Sequence, residues 1–294
     1  MKILVDTDIG SDIDDALCLA YLFSQTEAEI VGITTVSGDT AQRARLASVI
    51  AEHFGRDVPI CAGTGIPLAG DQRQPHVPQA EVLKRWPHTT DIARTDVTEF
   101  MRELITAAPG DVTLLGIGPL TNVGLLIRRY PEIIRKLARL VCMSGRFSNY
   151  QGMADVPEWN VLCDVEAARV TYEAATRVDT LLVSSDVTRR LVLPAKTARG
   201  VLNHPGLEPI RDMSEIWFAT REKMTAHDAL AASLLFQPDL CDYKQGAPVL
   251  DTATGITSWD PRGGVVATSG VDVKRFFTYF FASLGGHADG LAAP

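Results

Sequence analysis

The sequence predicts an α/β protein with an open, mostly parallel, Rossmann-like sheet flanked by helices and with a more helical C-terminal third. Short runs of β-branched residues alternate with longer helical patterns, and three such β-α units fill residues 1–61. This alternation is typical of parallel sheets, because each crossover helix returns the chain to the same end of the sheet. The composition, 46% hydrophobic and 22% charged, is ordinary for a globular protein with a large core.

The elements follow from apolar periodicity and from glycine- and proline-rich breaks. Strands are predicted at 3–5, 30–36, 58–61, 112–115, 140–143, 180–183, 249–251 and 265–268. Helices are predicted at 14–23, 41–54, 97–107, 120–129, 164–175, 208–220, 226–236 and 273–284. No break resembles a linker, so we expect one domain over residues 1–284, followed by a flexible Gly/Ala-rich tail at 285–294.

The chain has 294 residues and a formal net charge of −8 at pH 7. Without a basic stripe, this charge argues against a nucleic-acid partner. No segment reaches the length of a membrane span and no apolar leader precedes the first charges, so a cytoplasmic protein without a membrane partner is expected. The cysteines form no Cys-x-x-Cys pair and are expected to be small buried side chains in a reducing compartment. They are Cys18, Cys61, Cys142, Cys163 and Cys241.

The first predicted strand runs directly into five aspartates, at positions 6, 8, 12, 14 and 15. Carboxylates so close together repel one another, so a cation, nearby arginines or raised pKa values must neutralise them in the folded protein. After this segment no lysine or arginine occurs before Arg43. This favours a hard divalent cation held by carboxylate oxygens. The alternative is a solvated acidic turn that also begins the next helix.

Small, polar residues follow several of the other predicted strands. They are Ser-Gly-Asp at 37–39, Gly-Ile-Gly-Pro-Leu-Thr-Asn at 116–122 and Ser-Gly-Arg at 144–146. In open parallel sheets ligands bind beyond the carboxyl ends of the strands, so these turns predict a site on one rim. Part of the pattern is ordinary turn chemistry. The long irregular segments 62–94 and 147–155 are expected near the same rim, because long loops in compact domains are usually functional.

The order and spacing of several short motifs resemble the inosine-uridine-preferring nucleoside hydrolase family. These motifs are DTDIG, DDALCLA, ITTVSGD, VPICAG, LLGIGPLTN, MSG, PEWNVLCDVEAA, AHDALA and VDVKRFF. Together they extend over nearly the whole chain. The resemblance implies a nucleoside hydrolase, an N-glycosidase that uses water to cleave ribonucleosides into ribose and free base, with calcium in the site. It also implies a role in purine or pyrimidine salvage and a homo-oligomer, either a dimer or a tetramer.

The resemblance assigns roles to individual residues. Asp8 is implied both as a calcium ligand and as the base that deprotonates the attacking, calcium-bound water, and Asp15 as a bidentate ligand. Thr121 is implied to contribute its backbone carbonyl and Asp228 a further carboxylate. This ligand set leaves room for two ribose hydroxyls and the water within the roughly six to eight oxygens that calcium takes. His227 is implied as the acid for the departing base, with a capping or packing role as the alternative.

The ribose hydroxyls are implied to contact Asp14, Glu158 and Asn160. Asp6 is implied to support Asp8 without binding the metal or the substrate itself. The chemistry agrees with these assignments. Breaking a ribosyl C–N bond builds positive charge on the sugar, which requires carboxylates around the ribose, an activated water and a group that stabilises the leaving base.

The sequence departs from the family pattern at three places. The loop between DTDIG and the following Asp pair is two residues longer, so Asp12 has no clear counterpart and is the alternative to Asp14 as the carboxylate at the ribose. Asp39, a candidate substrate contact, stands where most members carry asparagine. Gly152 replaces a second asparagine, for which Gln151 is the candidate substitute.

Base contacts are the least determined part of the site. Trp159, Trp217 and Trp259 are candidates for stacking on the base, although single tryptophans more often belong to the core or its edge. His76 and His88 lie in the 62–94 segment, where some family members contact the base.

Two other functions compete with hydrolysis. A phosphatase of the haloacid dehalogenase type also carries Asp-x-Asp after its first strand, but it needs a lysine and a later acidic pair on the same rim, and neither is found there. A catalytically weak protein that binds calcium or ribose is the second alternative. Intact Asp8, Asp15, Asp228 and His227 argue against it.

Overall fold

The computed structural model describes residues 1–285 of the chain. Its strands are β1 (Lys2–Thr7), β2 (Glu29–Thr35), β3 (Ile60–Ala62), β4 (Val112–Gly116), β5 (Arg139–Met143), β6 (Thr180–Val183), β7 (Val192–Pro194), β8 (Lys223–Thr225), β9 (Cys241–Leu250) and β10 (Thr257–Val271). Its α-helices are α1 (Asp14–Ser24), α2 (Thr40–His53), α3 (Val97–Ala107), α4 (Thr121–Arg129), α5 (Trp159–Cys163), α6 (Val165–Ala174), α7 (Ser185–Thr188), α8 (Ala195–Leu202), α9 (Glu208–Phe218), α10 (His227–Ser233) and α11 (Val273–Ser283). The predicted tail lies outside the described residues, except for Gly285.

Eight strands form one sheet in the order β3-β2-β1-β4-β5-β6-β10-β9. Neighbours from β3 to β10 are parallel, and β9 pairs antiparallel with β10 at the edge. The predicted fold class is therefore confirmed. Because the chain moves from β1 outward to β3 and then returns to β4 on the other side of β1, the strand order reverses between β1 and β4. Open α/β sheets bind ligands at such a reversal.

Helices cover both faces of this sheet. Ile3 and Val5 of β1 contribute to a core with α1, α2, α10 and α11, whereas Leu4 contributes to the opposite core with α3, α4 and α6. This division follows from the alternation of side chains along a strand. Helix α1 is buried from Asp14 to Phe23, which explains why apolar residues occur all around it.

The predicted elements up to residue 183 agree with the observed ones to within a few residues. The C-terminal part differs. The strands predicted at 249–251 and 265–268 are pieces of the long β9–β10 hairpin, and the small β7–β8 sheet and α8 were not predicted. Strand β9 is largely exposed and contains Gly246 and Pro248, so it lacks the apolar alternation by which strands are recognised.

All five cysteines are buried and free, as predicted. Within residues 1–285 no helix is both long and apolar enough to cross a membrane.

Arg43 lies fully buried on α2 beneath the acidic loop. Its guanidinium donates hydrogen bonds to the backbone carbonyls of Asp8 and Ile9, and its Nε donates to the carbonyl of Ser37 at 2.7 Å. A longer bond of 3.4 Å reaches the carbonyl of Gln74. Arg43 therefore ties β1, β2 and the 62–94 segment together through backbone oxygens, and not through the carboxylates themselves.

Replacing Arg43 with methionine should destabilise the fold. The Arg43→Met variant leaves several buried carbonyls without a donor, so we expect the free energy of unfolding to fall by about 2–5 kcal/mol. Arg45→Met is the matched control, because Arg45 lies on the same helix and its Nε has no hydrogen-bond partner. Urea unfolding, followed by circular dichroism, measures the free energy of unfolding of both variants. Equal midpoints for Arg43→Met and the control would contradict the role given to Arg43.

Candidate functional site

The site begins where β1 ends. Six aspartates gather there, and all but the partly buried Asp12 are buried: Asp6, Asp8, Asp12, Asp14, Asp15 and Asp228. Burial raises the pKa of each, to about 7 for Asp6 and Asp12. Repulsion between the carboxylates raises the pKa values of Asp14, Asp15 and Asp228 further. Low polarity and like charges both disfavour the ionised forms, so this cluster requires a compensating positive charge.

The starts of α1 and α10 meet at this cluster. Asp14 Oδ2 accepts hydrogen bonds from the backbone N–H groups of His227 at 2.9 Å and Asp228 at 3.1 Å. Asp15 Oδ1 accepts one from the Thr7 hydroxyl. One carboxylate oxygen from each of Asp14, Asp15 and Asp228 lies within 4.8 Å of the other two. The helix starts thus hold three carboxylates close together and partly stabilise their charge.

Asp8 lines the same cavity from the end of β1. Its Oδ2 accepts a hydrogen bond from Gln74 Nε2 at 2.8 Å, and the same nitrogen lies 2.8 Å from Ser11 Oγ. Gln74 Oε1 in turn accepts the indole N–H of Trp159 at 2.8 Å. A Cβ atom at Gly118 would lie only 2.9 Å from Asp8 Oδ1, so glycine there lets the turn after β4 pack against this carboxylate.

Asp6 does not contact Asp8 in the way that the resemblance implied. Asp6 Oδ1 accepts hydrogen bonds from Thr34 Oγ1 at 2.6 Å and Asn122 Nδ2 at 2.7 Å, while its Oδ2 is buried without a partner. Asp6 therefore links β1 to β2 and α4.

Glu158 and Asn160 line the cavity. Glu158 caps α5: its carboxylate accepts backbone N–H bonds from Asn160, Val161 and Gly145 at 2.9, 3.1 and 3.2 Å. Asn160 Nδ2 donates to the carbonyl of Ile117 at 3.0 Å. These contacts fix the Asn160 side chain beside the turn after β4.

The structure corrects the placement of Thr121. Thr121 begins α4, where its carbonyl lies within the helical hydrogen-bonding pattern, and its hydroxyl donates to Asp164 at 2.8 Å. Among the described residues that line the cavity, the turn after β4 is represented by Ile117 and not by Thr121. Thr121 therefore lies outside the described lining of the cavity, which includes Ile117 four residues earlier.

The structure also bears on the predicted role of Asp39. It is exposed and caps α2 by accepting the backbone N–H of Gln42 at 3.0 Å and its side-chain amide at 2.6 Å. It is not among the described residues that line the cavity, so its predicted contact with substrate is not supported.

His227 lines the cavity at the start of α10. Its Nδ1 lies 2.5 Å from the hydroxyl of Thr188, which leaves Nε2 for a ligand. Burial lowers the pKa of His227 to about 4, with further lowering by the charges of Arg189 and Arg146. The lowered pKa favours the neutral ring at neutral pH, and the role implied for His227 at the departing base stays a prediction. A neutral imidazole still donates a hydrogen bond to a developing negative charge.

The cavity has a volume of about 740 Å³, a size typical of small-molecule sites. Trp159, Trp217 and His76 line it. Trp259 packs on a neighbouring aromatic ring and His88 bonds to a nearby carbonyl, and neither is among the described lining residues. Two of the three tryptophan candidates therefore line the cavity.

The departures from the family pattern lie in different surroundings. Asp12 lines the cavity, and its Oδ1 accepts the backbone N–H of Ile13 at 2.6 Å. Gly152 and Gln151 form an exposed turn with φ values of 71° and 57°, away from the lining residues described. Gln151 therefore does not substitute for the missing asparagine.

Several lining or supporting residues were not predicted. They are Arg43, Gln74, Ile117, Arg146 and Arg189. Ile117 lies within a motif already noted, so the observation that helix α4 begins after it could have found it. Arg146 likewise lies in the Ser-Gly-Arg turn at 144–146, which the sequence already placed on the rim. Arg43, Gln74 and Arg189 come from segments without periodicity or from distant helices, and no sequence signal marks them.

The carboxylates fit a divalent cation. Within residues 1–285 no lysine or arginine forms an ion pair with Asp8, Asp14, Asp15 or Asp228. An all-oxygen donor set that is compact and self-repelling is the kind that hard cations bind.

Comparisons with known proteins identify the family. The chain matches the family described as "Inosine-uridine preferring nucleoside hydrolase" over residues 3–278. It is 30% identical to uridine nucleosidase 1 of Arabidopsis thaliana over 269 residues, which cover 85% of this chain and 78% of that protein. It is 28% identical to the non-specific ribonucleoside hydrolase RihC of Salmonella newport over 254 residues, covering 82% and 80%.

Solved structures give the same fold. An inosine-guanosine nucleoside hydrolase matches with a TM-score of 0.82 at 21% identity, over 98% of this chain and 99% of that one. A purine-preferring ribonucleoside hydrolase from Gardnerella vaginalis matches with a TM-score of 0.81 at 22% identity, over 97% and 98%. From the family match, the relatives and the acidic cavity at the strand reversal, we conclude that the chain belongs to the inosine-uridine-preferring nucleoside hydrolase family and is an enzyme of that kind.

Proposed function

We propose that the protein hydrolyses the N-glycosidic bond of ribonucleosides to ribose and free base, with calcium in the acidic site. The observation that carries this proposal is the cluster of buried carboxylates at one end of a nucleoside-sized cavity, with His227 and two tryptophans in the same cavity. The positive charge that develops on the ribosyl group in the transition state requires such negative surroundings. The homo-oligomeric state, the cytoplasmic location and the role in salvage stay predictions.

The cation would be held by Asp8, Asp15 and Asp228, with the carbonyl of Ile117 in the place first given to Thr121. Asp14 keeps its proposed place at the ribose, because its Oδ2 is already occupied by two backbone N–H groups. Bound calcium lowers the pKa of a water molecule and orients hydroxyl groups. The same ligands would lose their mutual repulsion on binding it.

In this proposal Asp8 acts as the general base that deprotonates the attacking water. It lies at the end of a rigid strand, and its carboxylate accepts only a neutral donor from Gln74 in the described part of the chain. Burial raises its pKa and Arg43 lowers it, so burial makes the carboxylate more basic than an ordinary aspartate. Glu158 and Asn160 orient the ribose hydroxyls from the other side of the turn after β4.

His227 acts on the leaving base. With Nδ1 taken by Thr188, Nε2 is the nitrogen that meets the base, and the neutral ring contributes a hydrogen bond. Family membership supports a nucleoside substrate over the phosphatase alternative. The alternative of a protein that binds ribose without turnover is tested by release of free base from a panel of nucleosides, with and without chelator.

The first prediction is that activity requires calcium. Exhaustive dialysis against chelator should abolish base release, and added calcium should restore it. Magnesium should restore it poorly, since it prefers six ligands in a stricter geometry. Calcium should also raise the Tm of the dialysed protein, because it binds the folded state alone. Full activity in a preparation shown to be metal-free by elemental analysis would refute the requirement.

The second prediction concerns Asp8 as the general base. Asp8→Asn should lower kcat by roughly 10²–10⁴-fold, the range for loss of a general base, while the circular dichroism spectrum stays unchanged. Both this variant and the control Asp12→Asn are assayed at saturating calcium, with calcium affinity measured separately by calorimetry. If Asp8→Asn costs less than tenfold and Asp12→Asn costs more, the base is Asp12.

The third prediction tests whether His227 assists the departing nucleobase or only positions the start of α10. Nucleosides need assistance at the base, whereas a p-nitrophenyl riboside releases a stable anion unaided. His227→Ala should slow uridine or inosine cleavage by about 10²-fold or more and leave the nitrophenyl substrate nearly unchanged. Equal losses on both substrates would instead assign His227 to holding the start of α10.

A further inference from the structure

Arg189 is a cation without a partner in the wall of the cavity. It follows α7 and is half-buried, and its Nε is buried without a hydrogen-bond partner. No carboxylate lies within ion-pair distance of it among residues 1–285. The next residue, Arg190, is exposed and lies over the ring of Tyr150 at 4.7 Å. A partly buried guanidinium without a partner is unfavourable unless a ligand supplies one.

Arg146 lines the same cavity and is only 5% exposed. Its Nε donates to Ser185 Oγ at 3.2 Å, and its Nη1 donates to the carbonyls of Met153 and Val156 at 3.0 and 2.9 Å. Nη2 makes no hydrogen bond to the residues described. Ser185, whose hydroxyl accepts the Arg146 Nε bond, also accepts the backbone N–H of Arg189 at its carbonyl at 3.0 Å, so α7 brings both arginines to the same wall of the cavity. Burial and the charge of Arg189 lower the pKa of Arg146.

Neither neighbouring carboxylate pairs with these arginines. Glu158 is occupied by three backbone N–H groups, and Asp186 accepts from the backbone N–H of Phe147 at 2.9 Å and from the hydroxyl of Ser148 at 2.7 Å. The fold thus holds two like charges side by side at a ligand cavity, where their repulsion is relieved by an anion.

The pair lies on the His227 side of the cavity: Thr188, which directly precedes Arg189, bonds to His227 Nδ1, and Arg146, Arg189 and His227 all line the cavity. We propose that Arg146 and Arg189 form an anion subsite for the leaving base, so that the enzyme favours ribonucleosides whose base departs as a nitrogen anion. The inference rests on the proposed function, because it names the substrate class of that same site.

The step balances without a further reactant. The oxygen of water forms a bond to C1′ while the C1′–N bond breaks, and the bonding electron pair stays on the base nitrogen. The proton of the water passes to Asp8. The base leaves as an anion that the guanidinium groups neutralise through charge-assisted hydrogen bonds, and it takes a proton from solvent after release.

The chemistry of the base then decides the preference. Uracil, hypoxanthine and xanthine spread the negative charge onto oxo groups, which accept hydrogen bonds from guanidinium N–H groups. Nicotinamide carries a positive charge in its riboside and leaves as a neutral molecule. Two arginines give it no assistance and repel the intact substrate.

The test compares kcat/KM for uridine and nicotinamide riboside in the wild-type holoenzyme, in Arg189→Met and in the matched control Arg190→Met. Arg189→Met should lower the value for uridine by roughly 10- to 100-fold, the factor for one lost charge-assisted hydrogen bond. Nicotinamide riboside should be unaffected or faster, and Arg190→Met should change neither. Arg189→Lys should recover part of the loss, since it keeps the charge without the planar fork.

Equal losses on both substrates would overturn the proposal. So would a wild-type preference for uridine 5′-monophosphate over uridine that disappears in Arg189→Met, because the anion would then be a phosphate. Xanthine is an anion at mildly alkaline pH. Its binding, measured by calorimetry, tests independently of turnover whether the two arginines bind an anionic base. Weaker binding by Arg189→Met than by Arg190→Met supports it, and equal binding overturns it. Absence of base release by the wild type would refute the proposed function alone.

Discussion

The close burial of several carboxylates is the constraint on which the rest of the structure depends. Each would be more stable in water, and together they repel one another. Among the described residues the fold compensates with hydrogen bonds in place of ion pairs: backbone N–H groups of α10 hold Asp14, the Thr7 hydroxyl holds Asp15, and the Arg43 guanidinium holds the loop backbone. These donors come from separate elements, so β1, α2 and α10 must all be in place before the site exists.

Much of this arrangement follows from local patterns in the sequence. Alternating apolar runs and helical periods are sufficient to predict the parallel sheet, because each element must bury one face against its neighbours. The acidic residues are predictable for a related reason. Asp8, Asp14 and Asp15 directly follow a buried strand and begin a helix, and Asp228 lies in the first turn of another helix. A short side chain at such a position has little freedom in where it lies, and all four line the cavity.

The remainder depends on the direction of single backbone groups or on contacts between distant segments. Thr121 and Ile117 lie in one turn, and only the start of α4 decides which of them lines the cavity. Asp39 follows a strand end as expected, yet capping α2 turns its carboxylate elsewhere. Gln74 and Arg189 lie in parts of the chain without periodicity, so only the folded structure brings them beside Asp8 and His227.

Gln74 connects the exposed side of the cavity to its buried side. Its side chain accepts the indole N–H of the exposed Trp159 and donates to the buried carboxylate of Asp8. The hydrogen bonding of the buried Asp8 carboxylate and the position of the exposed Trp159 ring thus share one residue of the 62–94 segment. A substitution that shortens or removes the Gln74 side chain would therefore alter both the exposed and the buried side of the cavity at once.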